Sequence, residues 1–144
     1  MAVLEKRANE LNGYIERMIH AFMVTQCGCL SDAAANLSMQ ELKVIKFIGN
    51  NGPSIMRQIA DYLMLAMSTM TGIVDKLVEK KYVVRKRSEE DRRIVRVALT
   101  EAGREIYEMD HKNFMELSRQ MLQPLDEEEQ ETLINLLRKI SRVR

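Results

Sequence analysis

Apolar side chains recur at three- and four-residue intervals at the start of the chain, with Leu4, Ala8, Leu11, Ile15, Met18, Ile19 and Phe22 on one stripe. That is the period of an α-helix with one face set aside for packing, and it predicts a first helix from about Val3 to Gln26. The stretch Gly28 to Leu37 loses the period and reads as a loop or weak helix. Ser38 and Glu41 then form a capping-box signature ahead of Leu42, Ile45 and Ile48, and Asn50-Asn51-Gly52-Pro53 ends that helix. Two short periodic segments follow, Met56 to Leu63 and Ser68 to Lys80, separated by only a few residues: helix-turn-helix spacing. The first is expected to bury Ile59, Ala60 and Leu63, the second Met70, Ile73, Val74 and Leu77.

The period then drops to two. Tyr82, Val84 and Lys86 alternate with Val83, Arg85 and Arg87, and Val95, Val97 and Leu99 with Arg96 and Ala98, which predicts a two-stranded hairpin with a charged tip. Thr100 can cap a further helix carrying Ile106, Met109, Phe114, Leu117 and Met121 to a break at Pro124. Asp126 and Glu129 repeat the capping-box logic for a last helix with Leu133, Leu136, Leu137 and Ile140 on its apolar side. The expected fold class is mainly α with a small β-hairpin wing.

Charge alters this picture by where it lies. The net charge is only +1, yet Lys80, Lys81, Arg85, Lys86, Arg87, Arg92, Arg93 and Arg96 crowd one segment whose acidic residues are Glu89, Glu90 and Asp91. A helix-turn-helix followed by a basic hairpin suits double-stranded DNA. Its second helix can enter the major groove, where Ser68, Thr69 and Thr71 meet base edges or phosphates and Gly72 permits close approach. Lys76 and Arg57 are placed for backbone phosphates, and Arg92 or Arg93 at the hairpin tip for an A·T-rich minor groove. The plain alternative for the hairpin is that its charges block edge-to-edge aggregation.

The run Arg85-Lys86-Arg87-Ser88-Glu89-Glu90-Asp91-Arg92-Arg93, with Leu99-Thr100-Glu101-Ala102-Gly103 behind it, resembles the MarR family, and the likeness extends over nearly the whole chain. The resemblance implies a winged helix-turn-helix region over 38–99, with a wing at 82–99, inside a single domain spanning 1–144. It implies dimerisation helices at 1–30 and 101–144, a homodimer on a pseudo-palindromic operator, and repression relieved by a small effector or by thiol oxidation. The family's Asp-x-Arg wing signature falls on Asp91 and Arg93, which casts Arg93 as the minor-groove residue and Asp91 as its support. Arg87 belongs with the same DNA-contacting set. Three positions depart from the family pattern: Lys81 stands where a glycine is frequent, Ala66 where a capping serine is usual, and Met67 where a polar residue is common. Left-handed strain of about 1 kcal/mol is expected at Lys81.

Other features bear on regulation. Cys27 and Cys29 read first as reduced structural thiols, next as a thiol sensor and last as metal ligands, since His20 and His111 lack ligand spacing with them. The eleven methionines fill core gaps in the ordinary case. Met18, Met23, Met109 and Met115 also fall on helices that the resemblance places around an effector cavity, where a hydrophobic or aromatic ligand would suit them. No Gly-rich phosphate loop, nucleophile elbow or paired metalloprotease histidines are present, so neither an enzyme nor a cofactor is expected. With no membrane span and a polar N-terminus, the expected location is cytoplasmic. The competing function is a winged-helix interaction module that does not read DNA.

Overall fold

The computed structural model describes residues 1–29 and 36–142, with backbone alone over 25–29. The elements are helix α1 (Ala2–Cys29), helix α2 (Met39–Asn51), strand β1 (Ser54–Ile55), helices α3 (Met56–Leu63) and α4 (Met67–Glu79), strands β2 (Val83–Arg87) and β3 (Val95–Leu99), and helices α5 (Glu101–Leu122) and α6 (Glu127–Ser141). They group into two compact units, Leu30–His111 and the pair of segments Met1–Cys29 and Lys112–Arg144. Among the described residues, no helix is long and apolar enough to cross a membrane.

The unit Leu30–His111 holds the buried core. Val44, Ile45 and Ile48 of α2 pack with Ile59 and Ala60 of α3, with Met70, Ile73, Val74 and Leu77 of α4, and with Val83, Val97 and Ile106. Ser38 starts α2 by accepting a bond from the Glu41 amide at 3.1 Å. Only this half of the expected capping box forms. The buried Glu41 carboxylate turns to the Lys80 ammonium, 2.8 Å away, because a charge-assisted bond outweighs a single neutral amide for a carboxylate out of water. Gly52, at φ 78°, ends α2 as expected, its amide donating to the Ile48 carbonyl at 2.7 Å.

The wing is a three-stranded antiparallel sheet in the order β1-β3-β2, where two strands were expected. Ser54 and Ile55 face Val97 and Arg96, so β3 is paired on both edges, and both Val97 and Ala98 are buried. A strand of two residues is too short to show alternation, which is why pattern alone misses it. The same limit applies to the turn between α3 and α4, where Met64 takes a left-handed conformation (φ 53°) with no glycine to announce it.

A tight junction joins α4, the wing and α5. Lys81 sits at φ 65°, the left-handed conformation expected of it. The Thr100 hydroxyl donates to the Lys81 carbonyl at 2.7 Å and accepts from the Gly103 amide at 3.1 Å, capping α5 and tying it to the base of the wing. Gly103 lies so close that a Cβ there would stand 2.1 Å from the Tyr82 carbonyl oxygen. One turn on, the Tyr107 ring lies over Gly49 and its hydroxyl donates to Asn50 Oδ1 at 2.6 Å, and buried Asp110 pairs with Lys46 at 3.4 Å.

The other unit contrasts sharply. Phe22 and Phe114 meet with ring centroids 4.3 Å apart, and Asp126 and Glu129 close the expected reciprocal capping box at 2.9 and 3.0 Å. Yet none of its described residues is buried. Leu11, Ile19, Leu136, Leu137 and Ile140 are each more than half exposed.

Two substitutions probe the junction in opposite directions. Gly103→Ala should destabilise by roughly 2–3 kcal/mol, since the obstacle is backbone rather than a movable side chain. Lys81→Gly should stabilise by about 0.5–1 kcal/mol by removing left-handed strain. Urea unfolding at fixed protein concentration measures both, and a neutral Gly103→Ala would contradict the packing described.

Candidate nucleic-acid interface

Helix α4 has two faces with separate tasks. Its inner face carries Met70, Ile73, Val74 and Leu77, all buried, which anchors the helix along its length. Its outer face exposes Met67, Ser68, Thr69, Thr71, Gly72, Asp75 and Lys76. The N-cap residue is Ala66, which makes no side-chain cap, and Ser68 does not supply one from inside the first turn. The first amides of α4 therefore keep their donors for an outside acceptor, where the positive end of the helix dipole favours an anion such as phosphate. The Thr71 hydroxyl donates to the Met67 carbonyl at 2.9 Å, so only its lone pairs and its methyl group remain for a partner. Gly72 stands open, with no atom within 4 Å of where a Cβ would be. Arg57 is exposed in the first turn of α3.

The hairpin tip is ordered by its own acid. Asp91 Oδ1 accepts from the Arg93 backbone amide at 3.0 Å and lies 3.8 Å from Arg93 Nε, while the Arg93 side chain is 94% exposed. The Ser88 amide donates to the Ile94 carbonyl and the Ile94 amide to the Asp91 carbonyl, which closes the tip below these residues. Asp91 thus shapes the turn from which Arg93 projects. Arg87 and Arg92 are exposed on the same hairpin.

Two members of the basic segment are engaged inside the protein. Lys80 holds Glu41 and also donates to the Asn36 carbonyl at 2.6 Å, and Arg85 of β2 pairs with Asp75 of α4. The Arg85–Asp75 pair ties the wing to the outer face of the helix beside it. Neither Asp75 nor Glu41 is marked as a charge partner by the sequence pattern. The available signal is Asp75 itself, the lone carboxylate among the small and basic residues of that face.

The remaining candidates fall elsewhere. Met18 and Met23 are exposed on α1, Met115 is exposed on α5, and Met109 is half-buried on α5. Met18, Met23 and Met115 belong to one unit and Met109 to the other. The side chains of Cys27 and Cys29 lie outside the described residues. Among the described residues, no group of three or more His, Cys, Asp or Glu is placed to hold a metal.

Comparison with known proteins gives this geometry a context. The sequence pattern of the MarR family matches residues 37–95. The HTH-type transcriptional regulator YpoP of Bacillus subtilis is 32% identical over 108 residues, covering 75% of this chain and 77% of that protein. A MarR-like transcriptional regulator from Thermotoga maritima superposes with a TM-score of 0.73 at 27% identity, covering 90% of this chain and 93% of that one. FabT of Streptococcus pneumoniae, solved in complex with DNA, superposes with a TM-score of 0.76 at 25% identity, over 94% of this chain and 99% of its own.

The division between outward and inward charges is measurable. Lys76→Gln should flatten the dependence of log K on log salt by about 0.9 for each phosphate that is no longer neutralised. Lys80→Gln should leave that slope unchanged and instead lower stability by about 1–3 kcal/mol, because it strands a buried carboxylate. Titrations of duplex DNA at several salt concentrations, paired with urea unfolding, separate the two.

Proposed function

The chain belongs to the MarR family of DNA-binding transcription regulators, and on that premise we propose that it acts as a homodimer on a pseudo-palindromic duplex operator, as a repressor. The observation that carries the dimer is the unit of Met1–Cys29 and Lys112–Arg144, whose described residues include exposed leucines and isoleucines and no buried residue. Three helices without a core are not stable alone, since tertiary burial supplies most of helical stability in water. A second copy of the same unit is the economical cover, because a two-fold axis lets one apolar surface bury itself. Two-fold pairing also sets recognition helices about 34 Å apart, on successive major grooves.

In this reading α4 enters the major groove through Ser68, Thr69, Thr71 and Gly72. Lys76, Arg57 and Arg87 neutralise phosphates, and Arg93, steadied by Asp91 and flanked by Arg92, reaches the minor groove. Arg93→Ala should cost roughly 1–3 kcal/mol of operator binding. Selection of bound fragments from random duplex DNA should return a sequence with two-fold symmetry. A monomer at micromolar concentration, or an asymmetric consensus, would overturn the proposal.

Release by a small apolar or aromatic effector completes the regulatory reading, with the exposed Met18 and Met23 of α1 as adaptable lining. Thiol oxidation at Cys27 and Cys29 is the second route to release. Lipophilic phenols and carboxylates should raise the melting temperature and weaken operator binding under the first. Peroxide should weaken binding in the wild type, and not in a Cys27→Ser, Cys29→Ser variant, under the second. A panel and an oxidant that both leave affinity unmoved would dismiss the two routes together.

A further inference from the structure

The outer face of α4 is unusual for what it lacks. Between Met67 and Glu79 there is no arginine, asparagine or glutamine. Arginine or lysine reads guanine, and asparagine or glutamine reads adenine, by paired hydrogen bonds in the major groove, which leaves Lys76 as the one such side chain on this helix. Of the charged groups on that helix, Asp75 is engaged by Arg85, and Lys76 and Glu79 stand nine and twelve residues beyond Met67, more than about 13 Å along the axis from the tip. Ser68 and Thr69 carry hydroxyls that bond to any base or to phosphate and so discriminate weakly.

What the tip does present is apolar. Met67 opens the helix with 43% of its surface exposed, and a side chain in the first turn leans over the helix N-terminus, the end that enters a groove. Thr71 lies one turn further along the same row, with its hydroxyl proton already donated to the Met67 carbonyl. Gly72 beside it leaves the surface open. A thioether, a methyl group and a gap form a short apolar strip on a face otherwise built for a polar ligand.

Deepening the DNA-reading assigned above, on which this step rests, we propose that Met67 and Thr71 determine specificity by packing against thymine 5-methyl groups. The thymine methyl is the one apolar feature that the major groove displays, and it distinguishes T·A from the other base pairs without a hydrogen bond. Contact removes two apolar surfaces from water at once, so discrimination at these positions comes from burial. The operator half-sites then carry thymine where the tip of α4 lies.

Deoxyuridine is the direct probe, since it pairs as thymine does and lacks only the methyl. The full-length protein is used to select duplexes from a random library, and the selected duplex is remade with deoxyuridine replacing thymine, one position at a time. Wild-type affinity should fall about three- to fourfold for each contacted methyl, the worth of roughly one buried CH2 group. Met67→Ala should abolish the loss at one thymine of each half-site. Thr71→Ser, which keeps the hydroxyl and deletes the methyl, should abolish it at a neighbouring one. Equal wild-type affinity for the thymine and deoxyuridine duplexes overturns the assignment without recourse to any variant, as does a loss that persists in full in both variants. Failure to retain any duplex at low ionic strength defeats the DNA-reading itself, and this inference with it.

Discussion

The structure depends on burying one side of α4 while leaving the other side bare. Met70, Ile73, Val74 and Leu77 are each at most 8% exposed, and they hold the helix against α2, α3 and the first residues of the wing. Fully burying such side chains is worth about 1.5–3 kcal/mol each, which makes this inner face a large share of what fixes the helix. The outer face can then be small, polar and open at no cost to the fold, because it contributes nothing to the core. Every interaction attributed to the outer face inherits its position from the inner one.

The wing is held to the same standard by different means. Its backbone is closed by β1 on one edge of β3 and β2 on the other, and its base is joined to α5 through Thr100 and Gly103. Arg85 and Asp75 add a tie between wing and helix across an exposed surface. An exposed ion pair contributes at most about 1 kcal/mol to stability, so its value here is in register rather than in energy. Arg93 follows the same principle at a smaller scale. One carboxylate oxygen of Asp91 shapes the turn beneath a side chain that is otherwise almost wholly in solvent.

Much of this was legible in the sequence, and the exceptions share a cause. Segments with a full helical period revealed themselves, since α3 has the predicted bounds and all four predicted inner residues of α4 are buried, and the strain expected at Lys81 appears as φ 65°. Strand β1 escaped because two residues carry no period, and Met64 because its left-handed turn is imposed by the packing of α3 and α4 rather than by a glycine. Pairings distant in sequence escaped for a different reason. Glu41 satisfies a local rule, the capping box, and the fold overrides half of it by bringing Lys80 within 2.8 Å. Ten residues separate Asp75 from Arg85, and only the turn of the chain at Lys81 makes them neighbours.

Those internal pairings change what the charge of the chain means. A formal charge of +1 makes the protein as a whole indifferent to a polyanion, so attraction must come from the local cluster on the hairpin. Within that cluster Lys80 and Arg85 are already engaged, which leaves Lys86, Arg87, Arg92, Arg93 and Arg96 as exposed cations along the wing. Attraction to phosphate scales with the number of such cations and is weakened by every added ion, whereas burial of a methyl group is nearly insensitive to salt. On the reading proposed above, such a protein holds DNA loosely by charge and chooses among sequences by fit at the tip of α4. As salt rises, its affinity falls much faster than its ability to discriminate.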